Sequence, residues 1–296
     1  MVLKKAIKMW YCYALLLPTL ILLVVFNYYP AISALYHSLF RWDGFTAPEF
    51  VGLKNFAELL FHDEVMAISG RNIAILSGLR IVIALTVPLL AAELVFNLKG
   101  PKAGYAYRSL FVIPMVVPAV VNLLIWKFIY DPNYGVLNEA LRLLGLGRLS
   151  RAWLGDYSVA LYSILFVGFP WISGLWFLIF LAGLQNIPPD LFDAALIDGA
   201  SSLRRIINVD IPCILGQIKL VLILSVINAL QGYVGIMILT NGGPGNSTMV
   251  PGLYLYQNAF YYNRMGYGCA VGVILFVILF SLTYVNMKYI RTSSVY

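Results

Sequence analysis

Several stretches of this chain run long distances without a formal charge: 9–40, 81–92, 109–126, 157–189, 220–263 and 265–287. A helix crossing a hydrocarbon core about 30 Å thick needs about 20 consecutive apolar residues, and most of these stretches can supply them. Lipid offers the backbone no water, so a crossing segment is either a helix or part of a closed barrel. Continuous apolar runs exclude barrel strands, whose side chains alternate between lipid and lumen. The sequence therefore predicts an all-α polytopic membrane protein, with six spans near 10–34, 73–97, 107–130, 158–183, 216–239 and 268–289 in a single transmembrane domain, 1–296. Composition agrees, because only 11% of residues are charged and 61% are hydrophobic, against about 25% charged in soluble domains.

Lys4, Lys5 and Lys8 precede the first span, and Lys99, Lys102, Arg204, Arg205, Lys219 and Lys288 fall on the same side of the predicted topology. The positive-inside rule then predicts that both termini are cytoplasmic, N-in and C-in. The formal net charge of +7 reflects that orientation and contact with anionic lipid. A nucleic-acid partner would require a basic groove with stacking aromatics, which is missing. Residues 4–23 have the charge-then-apolar order of a secretion signal, but the apolar part is too long and no small-x-small site follows, so they read as an anchor. Three cysteines lie far apart without a Cys-x-x-Cys and read as small hydrophobes, and His37 and His62 have no companions at ligand spacing, so no metal site is expected.

The segment from Asp193 to Pro212 is a charge-bearing loop between two strongly apolar spans. Pro188 and Pro189 can open a helix there, since a missing N–H is harmless in the first turn, and Asp190 and Asp193 sit near its positive end. Gly199 permits a sharp turn through positive φ. Ser201 or Ser202 can cap a second helix, with Arg204 and Arg205 on one side and Leu203, Ile206 and Ile207 on the other, which Pro212 is expected to end. Two readings fit these residues: an amphipathic element lying on the membrane surface, or a plug for a groove on another protein.

No Gly-x-Ser-x-Gly, His-Glu-x-x-His or Gly-x-x-x-x-Gly-Lys-Ser/Thr pattern occurs. No catalytic residue is assigned, and any nucleotide that drives the protein is expected on another chain. The order Asp193-Ala194-Ala195, Asp198-Gly199-Ala200 and then Ile211-Pro212 resembles the "EAA" signature of membrane subunits of bacterial ABC importers, with Asp in place of the leading Glu. Leu239-Thr240-Asn241-Gly242-Gly243-Pro244, Ile113-Pro114 with Val117-Pro118, Leu184-Gln185-Asn186-Ile187-Pro188, and Phe50-Val51-Gly52-Leu53-Lys54-Asn55-Phe56 extend the match over nearly the whole chain. Together they resemble the carbohydrate-uptake branch, on the side of the larger maltose-type permease.

That resemblance implies a permease subunit in the bacterial inner membrane, forming half of a pathway for a sugar or oligosaccharide. It implies a second permease subunit, an ATP-binding subunit dimer that holds ATP and Mg, and an extracytoplasmic solute-binding protein, with no cofactor in this chain. It also implies that Asp193, Ala194, Ala195, Asp198 and Gly199 form the core of an ATPase-coupling loop, 184–215. The alternative is an ion-coupled secondary transporter, which would need a midplane acid and an inverted repeat. Glu93 is the only acid within a predicted span, and no such repeat is evident.

Polar groups at span depth are few. Ser225, Asn228, Gln231 and Gly232 recur at helical spacing and are expected on one face of the fifth span, where amides can meet sugar hydroxyls or join helices. The resemblance favours a cavity for this face and adds a break at Gly168 and Pro170 in the fourth span. Asn122 in the third span joins the expected pathway, and Trp171, Trp126 or Tyr233 can stack on a pyranose face. Trp42, Tyr134, Trp153 and the 240–267 loop are expected to face the binding protein. Arg80 and Glu93 are charges at span depth, and each must face protein, water or headgroups. Snorkelling suits Glu93, whereas Arg80 is expected to face the partner permease or the pathway. Pro18, Pro88, Pro114, Pro118 and Pro170 are expected to kink their helices.

Overall fold

The computed structural model describes residues 10–289; Lys4, Lys5 and Lys8 lie outside them. The chain forms two compact units, one of residues up to Asp63 with Tyr254–Phe276, the other of Glu64–Leu253 with the residues from Val277 onward.

In the first unit, α1 (Trp10–Leu23) passes through a π-helical segment, Val24–Tyr28, into α2 (Tyr29–His37). Apolar side chains are exposed along this rod, including Leu15 and Phe26, which suits a lipid-facing surface. The π turn lies just before Pro30, and the Tyr29 N–H reaches back five residues to the Val24 carbonyl. A proline ring would collide with the carbonyl four residues earlier in an α-helix, and the wider turn accommodates it. Beyond α2, β1 (Phe40–Arg41) pairs antiparallel with β2 (Glu49–Phe50), Phe40 opposite Phe50, and α3 (Lys54–Phe61) follows. Buried Asn55 donates from Nδ2 to the carbonyls of Ser38 (2.8 Å) and Phe40 (2.9 Å), which explains the Lys-Asn-Phe element of the sequence. Asp63 accepts hydrogen bonds from the hydroxyls of Tyr254, at 2.6 Å, and Tyr267. Burial, with that carboxylate beside it, pushes the Tyr254 phenol up to about 12.

The second unit is organised around α4 (Glu64–Phe96), 33 residues long. It continues with α5 (Pro101–Val112), a 3₁₀ turn at Ile113–Val116, α6 (Ala119–Ile129), α7 (Val136–Leu143), α8 (Ala160–Phe166), α9 (Gly174–Gln185) and α10 (Pro189–Ile197). Next come α11 (Ser202–Arg205), a π segment at Ile206–Asp210, α12 (Ile211–Cys213), α13 (Leu215–Gln231) and α14 (Val234–Leu239). In chain order α15 (Pro251–Phe260) and α16 (Met265–Tyr289) follow, of which Tyr254–Phe260 and Met265–Phe276 belong to the first unit. Ala91, Ala92 and Val95 of α4 pack with Phe177, Phe180, Leu181 and Leu184 of α9 and with Val221 of α13 to form the core. In lipid such contacts depend on close packing more than on the hydrophobic effect, which favours small residues at crossings. Gly183 shows this, since a Cβ there would lie 2.9 Å from the Gln217 side chain of α13.

Among the described residues, three helices are individually long and apolar enough to cross a membrane: Tyr13–His37, Glu64–Phe96 and Met265–Lys288. Up to six crossings are reached if three bent pairs each make one, with a 93° bend before α6 and 71° bends between α9 and α10 and between α12 and α13. The third, fourth and fifth predicted spans each contain a break and are not single helices. The third breaks between the 3₁₀ turn and α6, at Val117-Pro118, with a 93° bend. The fourth breaks between α8 and α9, where Gly168 has φ +87° and Trp171 φ +59°. The fifth breaks at Gly232, extended between α13 and α14. Pro114, Pro118 and Pro170 sit at two of these breaks, where lost N–H donors matter most, whereas Pro18 and Pro88 lie inside continuous helices.

The Thr240–Thr248 loop is built from residues in the left-handed region, Asn241, Gly242, Gly245 and Asn246. Fully buried Asn72 of α4 reaches it, donating from Nδ2 to the carbonyls of Met249 (3.0 Å) and Asn246 (3.3 Å). Asn72→Ala should cost about 1–3 kcal/mol, because two dry carbonyls lose a donor. Asn72→Asp, similar in shape but presenting acceptors, should be at least as damaging. Thermal unfolding in detergent checks both, and an unchanged midpoint in the Asp variant would show that the amide does not hold the loop.

Candidate functional site

Two features of the second unit concentrate the residues that the sequence singles out. The first is an elbow formed by α10 to α12. Pro188 and Pro189 open α10, with Asp190 in its first turn. The helix closes in a Schellman motif: the Ala200 N–H meets the Ala195 carbonyl at 3.0 Å, the Gly199 N–H meets the Leu196 carbonyl at 3.1 Å, and Gly199 has φ +68°. Space around Gly199 is open, so backbone conformation alone calls for glycine there. Ser201 caps the second arm, its hydroxyl accepting from the Arg204 N–H at 3.4 Å. Pro212 does not end that arm, as expected from sequence. It lies inside α12 after a π turn in which the Ile211 N–H reaches the Ile206 carbonyl, the same accommodation seen before Pro30.

Asp193, Ala194, Asp198 and Gly199 are exposed, while Ala195 turns inward. Leu191, Ala194, Ala195 and Asp198 on one arm and Arg204, Arg205, Asn208 and Val209 on the other line a cleft of about 430 Å³. At the tip, Ile197 is 86% and Leu196 76% exposed, too much apolar surface to be explained by packing within the chain. The elbow therefore presents small residues, carboxylates and an apolar tip outward together.

The inner side of the elbow is fastened to α4. The Arg205 guanidinium donates to Asp210 Oδ2 at 3.1 Å and to Asn97 Oδ1 at 2.6 Å. Asn97 in turn donates from Nδ2 to the Glu93 carbonyl (2.8 Å) and to Glu93 Oε2 (3.3 Å). Arg205 also lies 5.3 Å from the Phe192 ring centroid, and Phe192 packs on Phe96. Asp210 is fully buried and Glu93 nearly so. Glu93 does not snorkel, contrary to expectation, because its carboxylate is turned into this network. Burial raises the Asp210 pKa against the opposing pull of Arg205. Among the described residues Glu93 Oε1 and Asp210 Oδ1 have no hydrogen-bond partner; the guanidinium pairs directly with Asp210 and reaches Glu93 through Asn97. The sequence did not single out this latch, since residues five apart, such as Arg205 and Asp210, do not share a face of an α-helix; the intervening π turn brings them together.

The second feature is a cleft of about 400 Å³ where the broken third and fourth spans meet α4. It brings together three predicted pathway residues, Asn122, Gly168 and Trp171, with Arg80, Met115 and Trp176. Trp171 is held by its indole N–H on the Leu165 carbonyl at 3.1 Å and by edge contacts with Phe166 and Phe169. The fifth-span set does not line this cleft. Ser225 is buried and bonds to the Leu222 carbonyl, so it leaves the face that Asn228 and Gln231 expose. Asn228 donates to the Leu224 carbonyl at 2.9 Å, and Gly232 lies in the break after α13. Of the outer aromatics, Tyr134 is exposed, Trp153 is tied to Asn138 at 2.8 Å, and Trp42 stacks on His37 at 4.1 Å.

An elbow fastened to a long apolar helix that also lines a cleft at broken spans is the arrangement of a membrane transport component. The family described as binding-protein-dependent transport system inner membrane component matches residues 84–291. A probable ABC transporter permease protein of Bacillus subtilis (strain 168), YurN, is 34% identical over 95% of this chain and 96% of its own length. The diacetylchitobiose uptake system permease protein NgcF of Streptomyces coelicolor is 35% identical over 86% of this chain and 75% of its own length. A bacterial alginate ABC transporter solved in complex with alginate pentasaccharide-bound periplasmic protein has a chain of the same fold, with a TM-score of 0.86 at 22% identity over 98% of both chains. The chain belongs to the binding-protein-dependent inner membrane component family, and is an ABC permease rather than an ion-coupled carrier or an enzyme.

Arg205→Ala should leave the buried Asp210 carboxylate without its cation and cost on the order of 3 kcal/mol. Adding Asp210→Asn should recover much of that loss. Unfolding midpoints of the wild type, both single variants and the double variant check this. Without recovery in the double variant, Arg205 would act by packing on Phe192 and not by charge.

Proposed function

We propose that this chain is one permease subunit of an ATP-driven importer, forming half of the membrane pathway for a sugar or oligosaccharide delivered by an extracytoplasmic binding protein. The observation that carries this reading is the elbow, with an apolar tip and carboxylates directed outward and an Arg205 latch directed inward. A short helix with that distribution suits a groove on a partner better than a lipid surface, where its acids would face anionic headgroups.

In this reading six spans cross the membrane with both termini cytoplasmic, and 1–296 acts as one transmembrane domain. The loop 184–215 meets the ATPase pair, which holds ATP and Mg; this chain holds neither. Asp193 and Asp198 offer carboxylates to basic or N–H partners, Ala194 and Ala195 allow close approach, and Gly199 sets the bend. ATP closes the ATPase dimer, the elbows of two permease subunits move together, and the pair tips from inward- to outward-facing to receive cargo. Support for a carbohydrate cargo comes from the diacetylchitobiose and alginate systems among the similar proteins, and from a cleft pairing Trp171 with Asn122 and the Gly168 backbone. Ser225, Asn228, Gln231 and Gly232 supply the fifth-span side of the pathway.

Gly199→Pro removes the N–H that bonds Leu196 and cannot reach positive φ, and Gly199→Asp strains the same conformation. Both variants should insert and assemble, yet lose substrate-stimulated ATP hydrolysis in the reconstituted complex. Stimulation at the wild-type level in either variant would remove the elbow from the mechanism.

A further inference from the structure

Arg80 is the central residue of α4, Glu64–Phe96, and so lies as far from both ends of that helix as a residue can. A guanidinium at such depth costs roughly 2.5–3.5 kcal/mol on insertion scales unless something compensates it. Among the described residues Arg80 has neither an ion-pair partner nor a hydrogen-bond acceptor. Glu93, the acid in the interior of the same helix, is occupied with Asn97. Arg80 lines the cleft at the broken spans, and no Asp or Glu lines that cleft with it. The cleft wall is largely apolar, and the groups in it that can meet a saccharide are the Trp171 and Trp176 rings, the Asn122 amide and the backbone of a broken helix.

We infer that Arg80 binds an anionic group on the cargo, so that the transported class is acidic saccharides, those bearing a carboxylate or another acidic substituent. The inference rests on the importer reading above and narrows it. A guanidinium can grip a carboxylate through two parallel N–H donors, and in a cleft walled by lipid-depth helices that contact is screened far less than in water. A neutral sugar would leave the charge uncompensated. The same site then selects for acidic cargo and against neutral analogues, because discrimination is greatest where a buried polar group is left unpaired.

The test uses the whole complex in proteoliposomes: both permease subunits, the ATPase pair and the cognate binding protein. The probes are uronate oligosaccharides, their methyl esters of equal length and linkage, and neutral oligosaccharides. Acidic probes should stimulate ATP hydrolysis and uptake while their esters do not. Arg80→Gln should raise the half-maximal concentration of the acidic probe about tenfold or more, and Arg80→Lys should retain part of the response. Equal stimulation by esters and acids in the wild type would overturn the acidic-cargo inference and leave the importer reading standing. No stimulation by any saccharide would overturn both. Should Arg80→Gln release the second permease on gel filtration while Arg80→Lys keeps it and responds to acids and esters alike, Arg80 would serve an acid of the partner subunit, and the inference would fall.

Discussion

A helix that breaks at membrane depth frees backbone donors and acceptors where no water can take them up, and the second unit resolves this at its third- and fourth-span breaks with short-range contacts. At the fourth-span break the Trp171 N–H meets the Gly168 carbonyl at 2.8 Å, the Ser173 N–H meets the Trp171 carbonyl at 3.0 Å, and the Trp171 indole takes the Leu165 carbonyl. At the third-span break Pro114 and Pro118 contribute no N–H, and their carbonyls accept from Val117 and Asn122. The cleft that holds Asn122, Gly168 and Trp171 exists because those breaks are self-satisfied. With unbroken helices, the same residues would be distributed around two cylinders.

The elbow and the cleft are built on the same helix. Arg80 opens onto the cleft from the middle of α4, while Glu93 and, just beyond the helix, Asn97 receive the elbow. The apolar core of α4, α9 and α13 lies beside the latch, so both arms of the elbow join structure that packs as one body. Buried charge fits this arrangement. A buried Arg205–Asp210 pair adds little net stability over a well-packed apolar contact, but the penalty for separating it is large.

Much of this was legible in the sequence. Charge-free runs located the apolar segments, and Pro189, Gly199 and Ser201 gave the start, turn and cap of the elbow because each acts through local backbone chemistry. Element ends were less legible. α4 begins at Glu64 and not near residue 73, since Arg71 and Asn72 interrupt hydropathy without interrupting the helix. The fourth-span break was expected at Gly168 and Pro170, but the third-span break was read only as kinks at Pro114 and Pro118, and the positive φ of Trp171 is set by its surroundings. The latch was hidden for a related reason. Glu93, Asn97, Arg205 and Asp210 come from separate segments, and only a π turn, itself an accommodation of Pro212, brings the last two onto one side.

Pro88 stands between the two functional parts of α4 and lacks the N–H that would bond the Ala84 carbonyl, yet the helix runs on through it. Arg80 and Glu93 are about 20 Å apart along the axis at 1.5 Å per residue, far enough for a stiff rod to turn a small rotation at one end into a displacement of ångströms at the other. Pro88 lies between those two residues, so the one rung missing from the rod falls between the cleft and the latch.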